Sequence, residues 1–337
     1  MHMNNKTIDA LAALGAYIAS MPPELEEKIE EAFLHNRWFT PENTRFALAS
    51  IAQSMLQREK MEDWLAHYPG RAEPKIKNVG LIMAGNLPLV GFHDLLSVLL
   101  SGHRALIKLS SKDRILLPFL LEKLETFDAR IKDCYAFVER LRDFDAVIAT
   151  GSNNSARYFE YYFGRYPHII RKNRNSVAVI TGDENENDLR ALGDDIFRYF
   201  GMGCRNVSKL YLPEGYDPAR ILEAMEVFRE IIHHDKYRNN YDYHRSLYLL
   251  NRTPHLASDF LMLVENEAIA SPMATLHYEY YRDKSSLKAA LAMHRHEIQI
   301  VVSKDPETGN VAPGCSQSPG LLDYADKVDT MAFLVQL

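Results

Sequence analysis

The chain has 337 residues, 47% of them hydrophobic and 25% charged, with a net charge of −6. That length suits about two domains with full cores, and the interspersed charges exclude a basic nucleic-acid surface or a disordered acidic tail. No run approaches the roughly 18 apolar residues of a membrane span, and the opening MHMNNKTIDALAALGAYIAS lacks a secretory pattern, so a cytoplasmic protein is expected.

Residues 5–66 predict packing helices: PPELEEKIEEAFLHN has proline and acids at a helix start, and RFALASIAQSMLQ spaces its apolar residues by three and four. PGRAEP, 69–74, reads as a loop. From Lys77 short apolar runs alternate with amphipathic ones. NVGLIMAG, RALIKLS, CYAFVERL and FDAVIAT predict strands, while LVGFHDLLSVLLSG, ILLPFLLEKLETF and NNSARYFEYYFGR predict helices. This βα alternation implies a parallel sheet covered on both faces, with ligands bound beyond the carboxyl ends of its strands. A second unit follows: SVAVITG as strand, ENDLRALGDDIFRYF as helix, KLYLP as strand, helical segments over about 217–265, strands around LHYEYYR and EIQIVVS, and a closing TMAFLVQ.

Three strand ends can carry chemistry. In AGNLP the Asn86 amide can donate to an oxyanion, or cap a turn. In KLSSKD, Lys108 and the hydroxyls of Ser110 and Ser111 suit a phosphate or ribose, or form a solvated strand end. In TGSNNS, Gly151 and Ser152 open a helix whose N-terminus can receive a phosphate, or form an ordinary connection. FGMGCRNVSKL sets Cys204 beside two glycines, with Arg205 and Lys209 nearby to favour the thiolate. Cys134 sits in an apolar strand, and Cys315 in PGCSQSPG is the rival nucleophile. The wide spacing of the three cysteines suits a reducing compartment. With no CxxC or HExxH pattern, and with His233-His234 read as a solvated helix end, no metal is expected. Aromatics such as Tyr241, Tyr243, Tyr278 and Tyr281 can line an apolar pocket or serve as packing.

Taken in order, AGNLPLVGF, RALIKLSS, IATGSNNS, IRKNRNS and GMGC resemble the aldehyde dehydrogenase superfamily, and GNLPLVGFHDLL is similar to its LuxC-type acyl-CoA reductases. The resemblance implies an α/β fold with a Rossmann-type cofactor domain, a second α/β catalytic domain and N-terminal helices. The expected boundaries are 1–172 for the helices and cofactor domain, 173–315 for the cysteine domain, and 316–337 for a segment returning to the cofactor domain or to an oligomer contact.

The resemblance also implies roles. Cys204 would attack a thioester, with Asn86 and the Cys204 amide holding the oxyanion. Lys108, Gly151 and Ser152 would contact a nicotinamide nucleotide. Anchoring the family's E-x-F-G-P pattern on Pro272 makes Glu267 a further cofactor candidate. His296, placed against a G-H-T-A strand, is a candidate proton donor or an exposed histidine. Where aldehyde-oxidising members carry a glutamate that activates water, an ungapped alignment on Ser176 gives Arg171, which favours acyl-CoA chemistry over oxidation to acid. Ser111 and Lys112, where NAD-preferring members carry a ribose-binding glutamate, favour NADPH over NADH. The expected activity is NADPH-dependent reduction of an acyl-CoA to an aldehyde. The alternatives are a cysteine acyltransferase or thioesterase, or a non-catalytic partner in an acyl-transfer complex. An acyl-transfer partner protein and a homo-oligomer are further expectations.

Overall fold

The computed structural model describes residues 2–68 and 75–337. The expected PGRAEP loop lies outside the described residues. The chain divides into two compact units, Met1–Asn173 with Ser318–Leu337, and Arg174–Gln317.

The first unit opens with four helices, α1 (His2–Ala19), α2 (Pro23–His35), α3 (Pro41–Ser54) and α4 (Arg58–Ala66). Proline in the first turn of α2 gives up an amide that would be unsatisfied anyway, and Glu24 and Glu26 complement the helix dipole there. A five-stranded sheet follows, built from β1 (Asn78–Ile82), β2 (Arg104–Lys108), β3 (Tyr135–Phe137), β4 (Ala146–Thr150) and β5 (His168–Arg171). The connections carry α5 (Phe92–Leu100), α6 (Leu116–Phe127) and α7 (Asn153–Phe163). The order is β3-β2-β1-β4-β5, with every pair parallel. Continuous apolar runs such as AVIAT suit strands buried on both faces.

Two details differ from expectation here. The strand expected over CYAFVERL is only Tyr135–Phe137, because the polar stretch after it leaves the sheet. β5 was not anticipated: HIIR follows Pro167 and is too short and too polar at its ends to announce itself.

The second unit contains β6 (Asn175–Val179), α8 (Glu186–Phe197), β7 (Val207–Pro213), α9 (Ala219–Met225), α10 (Asp235–Leu250), β8 (Leu256–Ala257), β9 (Met262–Glu265), β10 (Thr275–Tyr281), α11 (Lys284–Met293) and β11 (Ile298–Ser303). Its six-stranded sheet runs β11-β6-β7-β10-β9-β8, parallel except for the β8-β9 pair. The helical stretch expected to reach about residue 265 ends at Leu250. Met262, Leu263 and Val264 are fully buried beside β10, and that position favours a strand.

The chain then returns to the first unit with α12 (Thr330–Val335). His93 and His103 donate to the carbonyls of Leu321 and Leu334 at 2.9 and 3.0 Å, and Trp64 donates to the Tyr324 hydroxyl at 2.7 Å. Burial holds the His93 pKa below its ordinary value, which keeps the ring neutral.

Candidate active site

In the first unit, strand order reverses at β1. The chain steps from β1 to β2 and β3 on one side, and β4 and β5 lie on the other. The crevice beyond the carboxyl ends of β1 and β4 is therefore the topological switch point, where open α/β sheets bind ligands.

Three connections border this edge. Beyond β1 the chain turns through exposed Asn86 and buried Pro88 to Leu89, whose φ is 57°. Beyond β2 come Lys108, Ser110, Ser111 and Lys112. The Ser110 hydroxyl accepts the Lys112 amide at 3.3 Å, and the Met83 amide donates to the Lys108 carbonyl at 3.1 Å. Beyond β4, Gly151 leads to Ser152, whose hydroxyl caps α7 by accepting the Ser155 amide at 3.2 Å. A Cβ on Gly151 would come within 2.9 Å of Ser155 and Phe159, so glycine is needed for this tight entry. Lys108, Lys112 and Arg114 are exposed, and none has an ion-pair partner among the described residues.

Two groups that the sequence did not single out bear on the β2–α6 connection. Asp113 is buried and accepts the Leu89 amide at 2.9 Å, and His35 at the end of α2 donates to the Ser111 carbonyl at 2.8 Å.

Arg171 is buried at the end of β5. It pairs with Asp94 on α5 and donates to the Thr330 hydroxyl at 2.7 Å. It therefore joins β5, α5 and α12.

In the second unit, Cys204 lies between α8 and β7 and is half-buried. Beyond α8 the backbone turns left-handed at three successive residues, Tyr199, Phe200 and Gly201, with φ of 55°, 59° and 73°. The two aromatic positions cost roughly 1 kcal/mol or more each, so the surroundings must hold them in place. Asn206, 1% exposed, is one such group. Its side-chain nitrogen reaches the carbonyls of Asp195, Ile196 and Arg198, and its oxygen accepts the Gly203 amide at 2.8 Å. It thereby satisfies the last carbonyls of α8 while closing the turn that carries the cysteine. The Ser176 hydroxyl donates to the Cys204 carbonyl at 2.9 Å.

Arg205 donates to the Ser316 carbonyl at 2.6 Å, which joins the Cys204 loop to the loop of the exposed Cys315. Lys209 does not lend its charge to the thiol as the sequence suggested. It is fully buried, paired with Glu279 at 2.6 Å and bonded to the Glu267 carbonyl at 2.6 Å. Ser208 and His277 hold the next carbonyls of that loop, at Ile269 and Ala268, which leaves the Glu267 side chain exposed.

His296 is exposed in the turn between α11 and β11, where it accepts a bond from Arg295 at 3.1 Å. Both Cys204 and His296 precede strands of one sheet, but β6 separates β7 from β11. Two strand spacings, about 10 Å, thus part the strands they lead into. Tyr241 and Tyr281 bond to the carbonyls of Ser258 and Ile180, and Tyr243 is exposed. Among the described residues no cluster of metal-ligating side chains occurs, and no helix is long and apolar enough to cross a membrane.

Known proteins fit this arrangement. Aldehyde dehydrogenase 21 of Physcomitrella patens, solved with succinate, is similar over 99% of this chain and 84% of its own, with a TM-score of 0.72 at 11% identity. The Mycobacterium tuberculosis aldehyde dehydrogenase complexed with NAD+ is similar over 91% and 75%, with a TM-score of 0.64 at 14% identity. The NADP-dependent glyceraldehyde-3-phosphate dehydrogenase of Bacillus halodurans complexed with NADP is similar over 90% and 75%, with a TM-score of 0.63 at 12% identity. At these identities the likeness establishes the fold. No curated protein matches the chain. Residues 24–233 match the family described as Acyl-CoA reductase (LuxC). With more than half its length matched, the chain belongs to the LuxC acyl-CoA reductase family and is built on the aldehyde dehydrogenase fold.

Proposed function

We propose that the protein reduces an acyl-CoA thioester to an aldehyde through an acyl intermediate on Cys204, with NADPH as reductant. The observation that carries this reading is the Cys204 loop. It presents a half-buried cysteine, entered through two glycines and fixed through Asn206 and Ser176, in a chain of an acyl-CoA reductase family.

The donor set of the first unit fits a phosphorylated nucleotide. Lys108, Lys112 and Arg114 are cations without an ion-pair partner among the described residues, on a chain of net charge −6; hydroxyls stand at Ser110, Ser111 and Ser152, and the N-terminus of α7 borders the same edge. Ser111 and Lys112 present a hydroxyl and a cation where a 2′-phosphate would be selected. When bound, a reduced nicotinamide nucleotide supplies the hydride for the acyl carbon.

The Cys204 sulfur attacks the thioester carbonyl, with Asn86 and the Cys204 amide donating to the oxyanion. The bond to the CoA sulfur breaks, and CoA leaves carrying the proton the cysteine lost. After reduction, the thiohemiacetal loses its hydroxyl proton, its carbon–sulfur bond breaks, and aldehyde leaves as the cysteine regains its thiol. Glu267 would contact the nucleotide, and His296 is the candidate for proton transfer. At the position of the missing glutamate, Arg171 offers no base to activate water, so the acyl-cysteine persists until it is reduced.

The test mixes protein and NADPH with acyl-CoAs of increasing chain length. It follows nicotinamide absorbance, CoA thiol release and the mass of the acylated peptide. One NADPH oxidised per thiol released, with the adduct on Cys204, supports the reading. Thiol release without oxidation of NADPH indicates an acyltransferase or thioesterase instead, and neither signal indicates a binding protein.

A further inference from the structure

The β2–α6 connection contains a single carboxylate, and it points inward. Asp113 is 8% exposed and accepts the amide of Leu89, the left-handed residue that ends the Asn86 turn. The two connections also touch upstream, where a Cβ on Gly85 would fall 2.4 Å from the Ser110 hydroxyl oxygen. From the other side, α2 braces the same connection. His35 donates to the Ser111 carbonyl at 2.8 Å and Asn36 to the Lys112 carbonyl at 3.3 Å. The backbone of the Ser110–Lys112 loop is thus fixed from α2 at two points, and the Asn86 turn is bonded to it through one buried group. Burial raises the Asp113 pKa to about 6, against the pull of the Leu89 bond and of His35. A buried carboxylate with a raised pKa at the edge of a crevice is a candidate functional position.

We infer that Asp113 is a positioning residue, whose bond to the Leu89 amide sets the Asn86 turn against the Ser110–Lys112 loop so that oxyanion donor and cofactor loop are placed together. The inference rests on the proposed function, in which those two segments act in acylation and in nucleotide binding. It adds a group that touches neither substrate nor cofactor yet governs both. Its consequence is that one change moves two measurements that separate sites would keep independent.

The experiment compares Asp113→Ala, Asp113→Asn and Leu95→Ala, the last a core truncation on α5 as a stability control. The burst of CoA release reports acylation without any nucleotide, and NADPH fluorescence on a Cys204→Ala background reports binding without turnover. Amide exchange over residues 85–92 reports the turn itself. D113A is expected to slow the burst and weaken NADPH binding by roughly tenfold each, with faster exchange in the turn. D113N, which keeps an acceptor oxygen, should restore both to within about threefold. L95A should move neither. If D113A does not fold, Asp113→Ser, whose short hydroxyl does not span the gap, takes its place. A folded D113A, or D113S in its place, with both values within twofold of wild type overturns the inference, and so does L95A reproducing the effect. A wild-type protein that gives no CoA burst sinks the proposed function itself, whereas a wild-type burst unchanged in D113A sinks only the role of Asp113.

Discussion

The carboxylate of Asp195 accepts the amide proton of Ser316 at 2.9 Å and, on its other oxygen, that of Gly314 at 2.7 Å, so one buried side chain grips both neighbours of Cys315. Asp195 lies near the end of α8, whose final carbonyls are held by Asn206 of the Cys204 loop. The two cysteine loops of the second unit therefore share an anchor. Asp195→Ala strands two amides away from a partner and should destabilise the protein by about 2 kcal/mol or more. It should also raise the alkylation rate of Cys315 as its loop loosens. Thermal unfolding with timed iodoacetamide mapping checks both, and an unchanged Cys315 rate would show that the loop does not depend on this carboxylate.

Asn206 makes a complementary case. Truncation to alanine releases the α8 carbonyls and the Gly203 amide together. The left-handed Tyr199-Phe200-Gly201 turn then loses what holds it. N206A should lower the acylation rate of Cys204 more than its equilibrium stability suggests, by roughly ten- to a hundredfold. Burst kinetics against urea midpoints separate the two effects. Acylation that falls only in proportion to the unfolded fraction would make Asn206 purely structural.

Strand ends and the cysteine loop were legible in the sequence because each has a local signature: an apolar run that stops at a polar residue, or glycine beside a nucleophile. Asn86, Lys108 and Ser152 are of that kind. Asp113, Asn206 and Asp195 were not legible as site residues, because their partners are backbone amides or carbonyls made available only by the fold. Leu89 illustrates this, since nothing in PLVGF announces a left-handed leucine in need of an acceptor. Lys209 was misjudged for the same reason. Its spacing from Cys204 is local information, but Glu279, which neutralises it, lies on the neighbouring strand β10.

Asn86→Ala should reduce kcat by two to three decades without loss of fold, since an oxyanion donor contributes about 3 kcal/mol to the transition state. KM for the acyl-CoA should move little, because the donor acts on charge that develops after binding. Steady-state kinetics at saturating NADPH read this directly. A near-normal kcat removes Asn86 from the mechanism.

Cofactor preference should follow the charge of the Ser111-Lys112 pair. Lys112→Glu places a carboxylate where a 2′-phosphate would sit, and the ratio of NADPH to NADH affinity should fall by roughly ten- to a hundredfold, the equivalent of one charge-assisted hydrogen bond. Fluorescence titration with each nucleotide gives the ratio. An equal loss for both nucleotides would mean that Lys112 contacts a phosphate the two share.

Asp113 also makes a prediction about pH. Its folded pKa of about 6 lies above the ordinary carboxyl value of 3.8, so the group binds its proton more tightly folded than unfolded. The stability it contributes is therefore fully present below about pH 4 and is lost as pH rises through about 6. A shift of this size corresponds to at most about 3 kcal/mol. Asp113→Asn removes the titration while keeping an oxygen for the Leu89 amide. The variant should then be more stable than wild type at pH 7.5, with the advantage shrinking towards zero near pH 4. Denaturant midpoints at four pH values from 4 to 7.5 check the trend. A difference between the two proteins that is constant over this range would mean that the Asp113 carboxyl does not titrate there, and that burial imposes no cost on its charge. If the advantage follows pH as expected, the chain retains a carboxylate that weakens the fold at neutral pH, which is the pattern of a residue kept for the placement of its neighbours rather than for stability.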